Sequence, residues 1–126
     1  MSVLLDTHIL LWWLTDNPQL SQAARDLIED TRTTAYISSV SIWELVIKQA
    51  LGKLPFDAAT VARSAEENGL VALPFDQRHA LAVATLPDLH KDPFDRALIA
   101  QSMAEPLILL TADTRLARYG APIRLV

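Results

Sequence analysis

Short apolar runs alternate along this chain with longer segments of helical periodicity. Val3 to Leu5, Ala35 to Ile37, Leu70 to Leu73, Leu107 to Leu110 and Ile123 to Leu125 read as strands, several rich enough in Leu, Ile and Val to be covered on both faces. A helix is expected to begin near Thr7 or His8, and another runs from Ser21, a natural N-cap after Asn17-Pro18, to about Thr31. Ser41 to Leu51 forms the next and stops at Gly52, which suits a left-handed C-terminal turn. Asp57 and Asp76 cap helices reaching about Glu67 and Thr85, and a last long helix runs from Pro93 to about Ala104, ahead of Pro106. Strand and helix in alternation predict a parallel sheet with helices on both faces. The expected fold is α/β: a single domain over residues 1–126 with three α/β/α layers and about five strands in the flavodoxin-like order 3-2-1-4-5. Such sheets bind ligands at the carboxyl ends of their strands, where the strand order reverses.

Four acidic residues fall at that edge. Asp6 directly follows the first strand and is the only charge between Val3 and Leu14; capping the helix behind it is the simpler job. Glu44 sits three residues into the helix expected from Ser41. At about 100° per residue it shares a narrow polar stripe with Ser41 and Lys48. That stripe fits either a helix buried except for one side opening on a site, or a solvated face carrying a Glu–Lys pair. In His90-Lys91-Asp92-Pro93-Phe94-Asp95-Arg96, the proline makes Asp92 the N-cap and puts Asp95 in the first turn, where free amides and the helix dipole favour an ionised carboxylate. A capping-box bond from Asp95 back to Asp92 is the alternative. Asp113 follows the fourth strand and can cap the short turn holding Leu116 and Ala117.

No one of these positions decides anything alone. Together, if the first and fourth strands are neighbours, they converge in one cleft, and two unit charges about 4 Å apart repel by roughly 4 kcal/mol at an effective dielectric of 20. A hard divalent cation resolves that repulsion. Mg2+ takes oxygen ligands and bridges to phosphate oxygens, so hydrolysis of a phosphodiester would need no protein nucleophile.

Composition narrows the field further. Among 126 residues, 51% hydrophobic and 21% charged, there is no cysteine, so disulfides, thiolate metal sites and thiol nucleophiles are excluded and a reducing cytoplasm is the expected setting. The most apolar stretch, Val3 to Leu14, is broken by Asp6, Thr7 and His8 and falls well short of the roughly 20 residues a membrane span needs. The net charge of −4 means that attraction to a nucleic acid would be local, through metal ions or a few placed Lys and Arg residues.

Leu4-Leu5-Asp6-Thr7-His8, Ser38 to Glu44, His90 to Gln101 and Leu110-Thr111-Ala112-Asp113 span nearly the whole chain, and Asp92-Pro93-Phe94-Asp95-Arg96-Ala97-Leu98-Ile99-Ala100-Gln101 is the most specific of them. In these segments the chain resembles PIN-domain ribonucleases, particularly the VapC-type toxins of bacterial toxin–antitoxin pairs. The resemblance implies that Asp6, Glu44, Asp95 and Asp113 are the metal-binding and catalytic acids, with Thr7 and Thr111 as supporting hydroxyls. It also implies Mg2+ or Mn2+, endonucleolytic cleavage of RNA, a homodimer and a cognate protein antitoxin; some related domains serve RNA maturation instead.

Other residues carry less. His79 and His90 suit supporting or structural roles, because neither has ligand spacing with another His. Asp92 can join the metal site as an outer acid, although capping explains it. Lys48, Arg96 and Arg115 lie near the acids and could contact RNA phosphates or be ordinary surface charges. Trp12 and Trp13 diverge by about 100° on a helix, which leaves one of them for a dimer or antitoxin interface. A non-enzymatic phosphoacceptor module shares the sheet, but no acidic pair closes the first strand and no lysine follows the last one. A phosphatase using Asp-x-Asp is opposed by Thr7 and His8 after Asp6.

Overall fold

A computed structural model describes residues 1–126. Five strands, β1 (Ser2–Leu5), β2 (Thr34–Ser38), β3 (Val71–Leu73), β4 (Ile108–Thr111) and β5 (Ile123–Leu125), form one sheet. All pairings are parallel and the order is β3-β2-β1-β4-β5, as the alternation of strand and helix predicted. Register places Leu5 beside Leu110 and Leu4 beside both Tyr36 and Leu109, so β1 and β4 end side by side at the carboxyl edge.

The helices are α1 (Thr7–Leu14), α2 (Gln22–Glu29), α3 (Ser39–Ala50), α4 (Ala58–Glu67), α5 (Gln77–Ala82), α6 (Pro93–Ala104) and α7 (Thr114–Ala117), with one turn of 3-10 helix at Val83–Thr85 after α5. They cover both faces because strand side chains alternate. Val3 and Leu5 pack into a core with Ile9 and Leu10 of α1, Ala24 and Ile28 of α2 and Val61 of α4. Leu4 points the other way, into a core with Leu98, Ile99 and Leu116. Truncating any of these fully buried leucines to Ala would cost about 2–5 kcal/mol. No helix is long and apolar enough to cross a membrane.

Element boundaries depart from the sequence reading where local hydrogen bonds compete. Helix α2 closes at Glu29, short of Thr31, because Asp30 turns extended and takes the Arg32 amide and guanidinium on its carboxylate. Helix α3 starts at Ser39, two residues early, because the Ser38 hydroxyl ends β2 and accepts the Val40 amide. Glu44 therefore lies in the second turn of that helix. The orientation of α3 also reverses the expectation of a helix buried except along its polar stripe. Ser41 and Glu44 point inward, while Trp43 is 60% exposed and Val46, Ile47 and Leu51 are open to solvent. Trp12 and Trp13, by contrast, are both half-buried against the core, so Trp43 is the tryptophan most open to a partner.

Candidate active site

The topology delivers all four predicted acids to the carboxyl edge. Asp6 ends β1, its backbone N–H donating to the Leu110 carbonyl at 3.0 Å and its carbonyl accepting the first helical bond of α1 from Leu10. It stands at the N-cap position, but its carboxylate makes no capping bond. Instead Oδ2 accepts the Thr111 hydroxyl at 2.6 Å. That hydroxyl in turn accepts the Asp113 amide at 3.0 Å, tying the end of β4 to the end of β1. Asp113 lines the same cleft of about 230 Å3 as Asp6, together with His8, Trp12 and Ala112.

Glu44 arrives from α3. The Thr7 hydroxyl donates to its Oε1 at 2.8 Å, Ser41 Oγ lies 2.9 Å from the same hydroxyl, and Lys48 Nζ stands 3.1 Å from Oε2. Thr7 is thus the link between β1's end and Glu44. Asp92 caps α6 as expected, accepting the amides of Phe94 at 2.8 Å and Asp95 at 3.1 Å. With Asp92 so engaged, Asp95 makes no capping-box bond; its Oδ2 accepts from His90 Nε2 at 2.7 Å.

The electrostatics divide these acids into two kinds. Burial raises the Asp6 carboxyl above its ordinary range, the Thr111 bond and His8 pull it down, and the charge of Glu44 pushes it up again. Burial likewise raises Asp95, to about 6, against the bond from His90 and with help from the charges of Asp92 and Asp6. Asp113 goes the other way, because Arg115 holds it through bonds of 3.1 and 2.8 Å while its Oδ1 also accepts the Arg115 amide. Asp6, buried, and Asp95, partly buried, are thus both raised, and Asp6 has no ion-pair partner.

Convergence stops short of a finished cage. No group of three His, Asp or Glu side chains stands in metal-ligating array, because Asp113 is turned to Arg115, Asp95 to His90 and Glu44 to Thr7 and Lys48. The donor chemistry nevertheless suits a hard divalent ion. Every candidate ligand is a carboxylate oxygen, cysteine is absent, and the negative charge of Asp6, which has no cation, and of Asp95, which has only the His90 bond, is what such an ion relieves.

The three predicted phosphate-binding cations are all engaged within the chain. Lys48 pairs with Glu44, Arg115 with Asp113, and Arg96 Nη1 donates to the carbonyls of Pro87 and His90 and to the Tyr119 hydroxyl. His79 has the structural role expected of it: buried, it accepts the Asp76 amide on Nδ1 and meets Glu105 through Nε2. Sequence reasoning passed over Ser41 beside Thr7 and His8 beside Asp6. The signal for Ser41 was its place one turn before Glu44 on the polar stripe; His8 had only its proximity to Asp6.

A family profile described as PIN domain matches residues 3–122. The chain belongs to the PIN-domain family. Among its relatives, Ribonuclease VapC22 of Mycobacterium tuberculosis (strain ATCC 25618 / H37Rv) is 28% identical over 123 residues, covering 96% of this PIN domain and 94% of the relative. The fold is similar to that of VapBC2 from Rickettsia felis, solved bound to a DNA fragment from its promoter, at a TM-score of 0.72 and 18% identity over 100% of this chain and 98% of that one. It is also similar to VapBC-1 from nontypeable Haemophilus influenzae, at a TM-score of 0.68 and 18% identity over 100% and 97% of the two chains. The shared PIN fold accounts for the parallel sheet of order 3-2-1-4-5.

Proposed function

We propose that this PIN domain is a divalent-metal-dependent endoribonuclease and the toxin of a toxin–antitoxin pair. The observation that carries the reading is two carboxylates at the acidic edge: Asp6, buried at the end of the central strand and raised by burial and the charge of Glu44, with no cation on it, and Asp95, partly buried at the start of α6 and raised by burial and the charges of Asp92 and Asp6. Asp6 and Asp95 would hold Mg2+ or Mn2+, with Glu44 and Asp113 completing the acidic set. What the ion supplies when bound is positive charge against the phosphate oxygens and acidification of the attacking water.

The chain's own residues do the rest. Thr111 donates to Asp6 Oδ2, which favours the ionised carboxylate and leaves Oδ1 free of that bond. Thr7 orients Glu44. Arg115 on Asp113 and Lys48 on Glu44 are cations within reach of the edge, and an RNA phosphate competing for either would loosen its acid. With a net charge of −4, binding of RNA depends on such local contacts.

Partners belong to the same reading. The curated relative is named a ribonuclease of the VapC type and the solved neighbours are VapBC assemblies, which supports a protein antitoxin. The outward face of α3, with Trp43, Val46, Ile47 and Leu51 exposed, suits a homodimer contact. The test is cleavage of an end-labelled RNA by the purified chain with Mg2+, Mn2+ or EDTA. Internal cuts are expected with either metal and none with chelator, and Asp6→Asn and Asp95→Asn should abolish them while leaving the circular-dichroism spectrum unchanged. Cleavage that persists in EDTA or in both variants would refute the proposal.

A further inference from the structure

Arg96 and His90 flank the start of α6, and their hydrogen bonds form a continuous path to Asp95. The segment leading into α6 has no regular structure of its own from Leu86 to Asp92. It is held from two sides. Arg96 Nη1, from the first turn of α6, reaches back to the Pro87 carbonyl at 3.1 Å and the His90 carbonyl at 3.3 Å, and meets the Tyr119 hydroxyl at 3.2 Å. Arg118 adds a longer bond to the Leu89 carbonyl at 3.4 Å. All three contacts are made by one nitrogen at the far end of the guanidinium, and a lysine, whose Nζ stops one bond short of that position, does not reach the same acceptors.

The braced segment presents one side chain to the acidic edge. The His90 side chain is only 9% exposed, and its Nε2–H donates to Asp95 Oδ2 at 2.7 Å. Because an ionised carboxylate only accepts, this bond makes Nε2 the protonated nitrogen, and it fixes one oxygen of Asp95.

We propose that His90 is a positioning residue for the Asp95 carboxylate and that Arg96 is the strut that places His90. Arg96 thereby serves the site through the backbone of the preceding segment and not by contacting RNA phosphate. The inference rests on Asp95 being an acid of the metal site, as proposed above. Partners of this kind, bonded to a ligating group from outside, typically change metal affinity or activity by about 10–100-fold when removed.

Calorimetric titration of the full chain with Mn2+ alone, beside steady-state cleavage of an RNA oligonucleotide, tests the proposal. His90→Ala and Arg96→Lys should each weaken Mn2+ binding by about tenfold or more and lower kcat, with KM within about twofold of the parent. His90→Gln, whose amide N–H reaches the place of Nε2, should recover most of both. His90→Asn keeps an amide but stops short of Asp95, so it should resemble His90→Ala and serves in its place if the alanine variant does not fold. Parent-like Mn2+ affinity and kcat in His90→Ala, or equal values in the Gln and Asn variants, overturn the role of His90. An Arg96→Lys variant that keeps kcat and Mn2+ affinity overturns the strut and returns Arg96 to the role of a charge. Asp95→Asn is the control: if it binds Mn2+ as the parent does, the metal site itself is wrong and the positioning role falls with it.

Discussion

Replacing Asp95 by Asn should make the metal-free protein more stable at pH 8. The Asp95 carboxyl, ordinarily near 3.8, is pushed up to about 6 by burial, against the bond from His90 and with the charges of Asp92 and Asp6 adding to the rise. A group whose pKa is higher in the folded than in the unfolded chain favours folding while it is protonated. Its contribution is complete below pH 3.8 and is lost as the pH rises through about 6. Above that, the folded protein carries a charge it would be better without. The interval from 3.8 to about 6 is worth about 3 kcal/mol at 1.36 kcal/mol per pH unit, which solvent reaching the partly exposed carboxyl reduces to about 1–2 kcal/mol. Asn keeps the shape and the acceptor that His90 uses but cannot ionise. For 126 residues the unfolding entropy is about 0.26 kcal/mol/K, so the variant should melt about 4–8 °C above the parent at pH 8. Thermal melts in EDTA from pH 4 to 8.5 measure this. The two curves should meet near pH 4 and separate through pH 6, and millimolar Mn2+ should raise the parent past the variant by binding its folded state. A variant that melts at or below the parent at pH 8 in EDTA, or a gap that does not close toward pH 4, refutes the reasoning.

Thr111→Val removes the 2.6 Å bond to Asp6, a charged hydrogen bond worth about 1.5–3 kcal/mol. The Asp6 carboxyl should rise further, and the acid limb of kcat/KM against pH should move to higher pH; an unmoved limb would show that Asp6 does not govern it. Trp43→Glu puts a charge on the exposed apolar face of α3. If the proposed dimer forms through this face, light scattering should find a dimer for the parent and a monomer for the variant, which loses the Trp43–Phe94 contact and melts somewhat lower; a variant that is still a dimer would place the contact elsewhere.

The fold was legible because its signals are local and repeated. Strand and helix alternate, Ser21, Asp57, Asp76 and Asp92 cap where the sequence put caps, and the strand order follows. The placing of the acids at the edge was legible for the same reason, since Asp6 and Asp113 follow strands, Asp95 lies in the first turn of a helix and Glu44 in the second turn of another. Orientation was not. Periodicity gives the polar stripe of α3 but not which way it faces, and the structure turns Ser41 and Glu44 inward because Thr7 offers a hydroxyl there. The partners of the cations were hidden too. Arg96 reaches carbonyls of Pro87 and His90 across a segment with no periodicity to fix its path, so its sequence position beside Asp95 suggested a phosphate contact that its bonds do not need.

The bond between Thr111 and Asp6 joins positions 105 residues apart, and β1 lies inside the sheet, between the early strand β2 and the late strand β4. During synthesis the first of the acids leaves the ribosome long before its hydroxyl partner has been translated. A chain interrupted at residue 100 would own Asp6, Glu44 and Asp95 yet lack the strand that closes the edge beside them. The edge is therefore complete only once β4 has been made, because the hydroxyl that fixes Asp6 arrives with that strand.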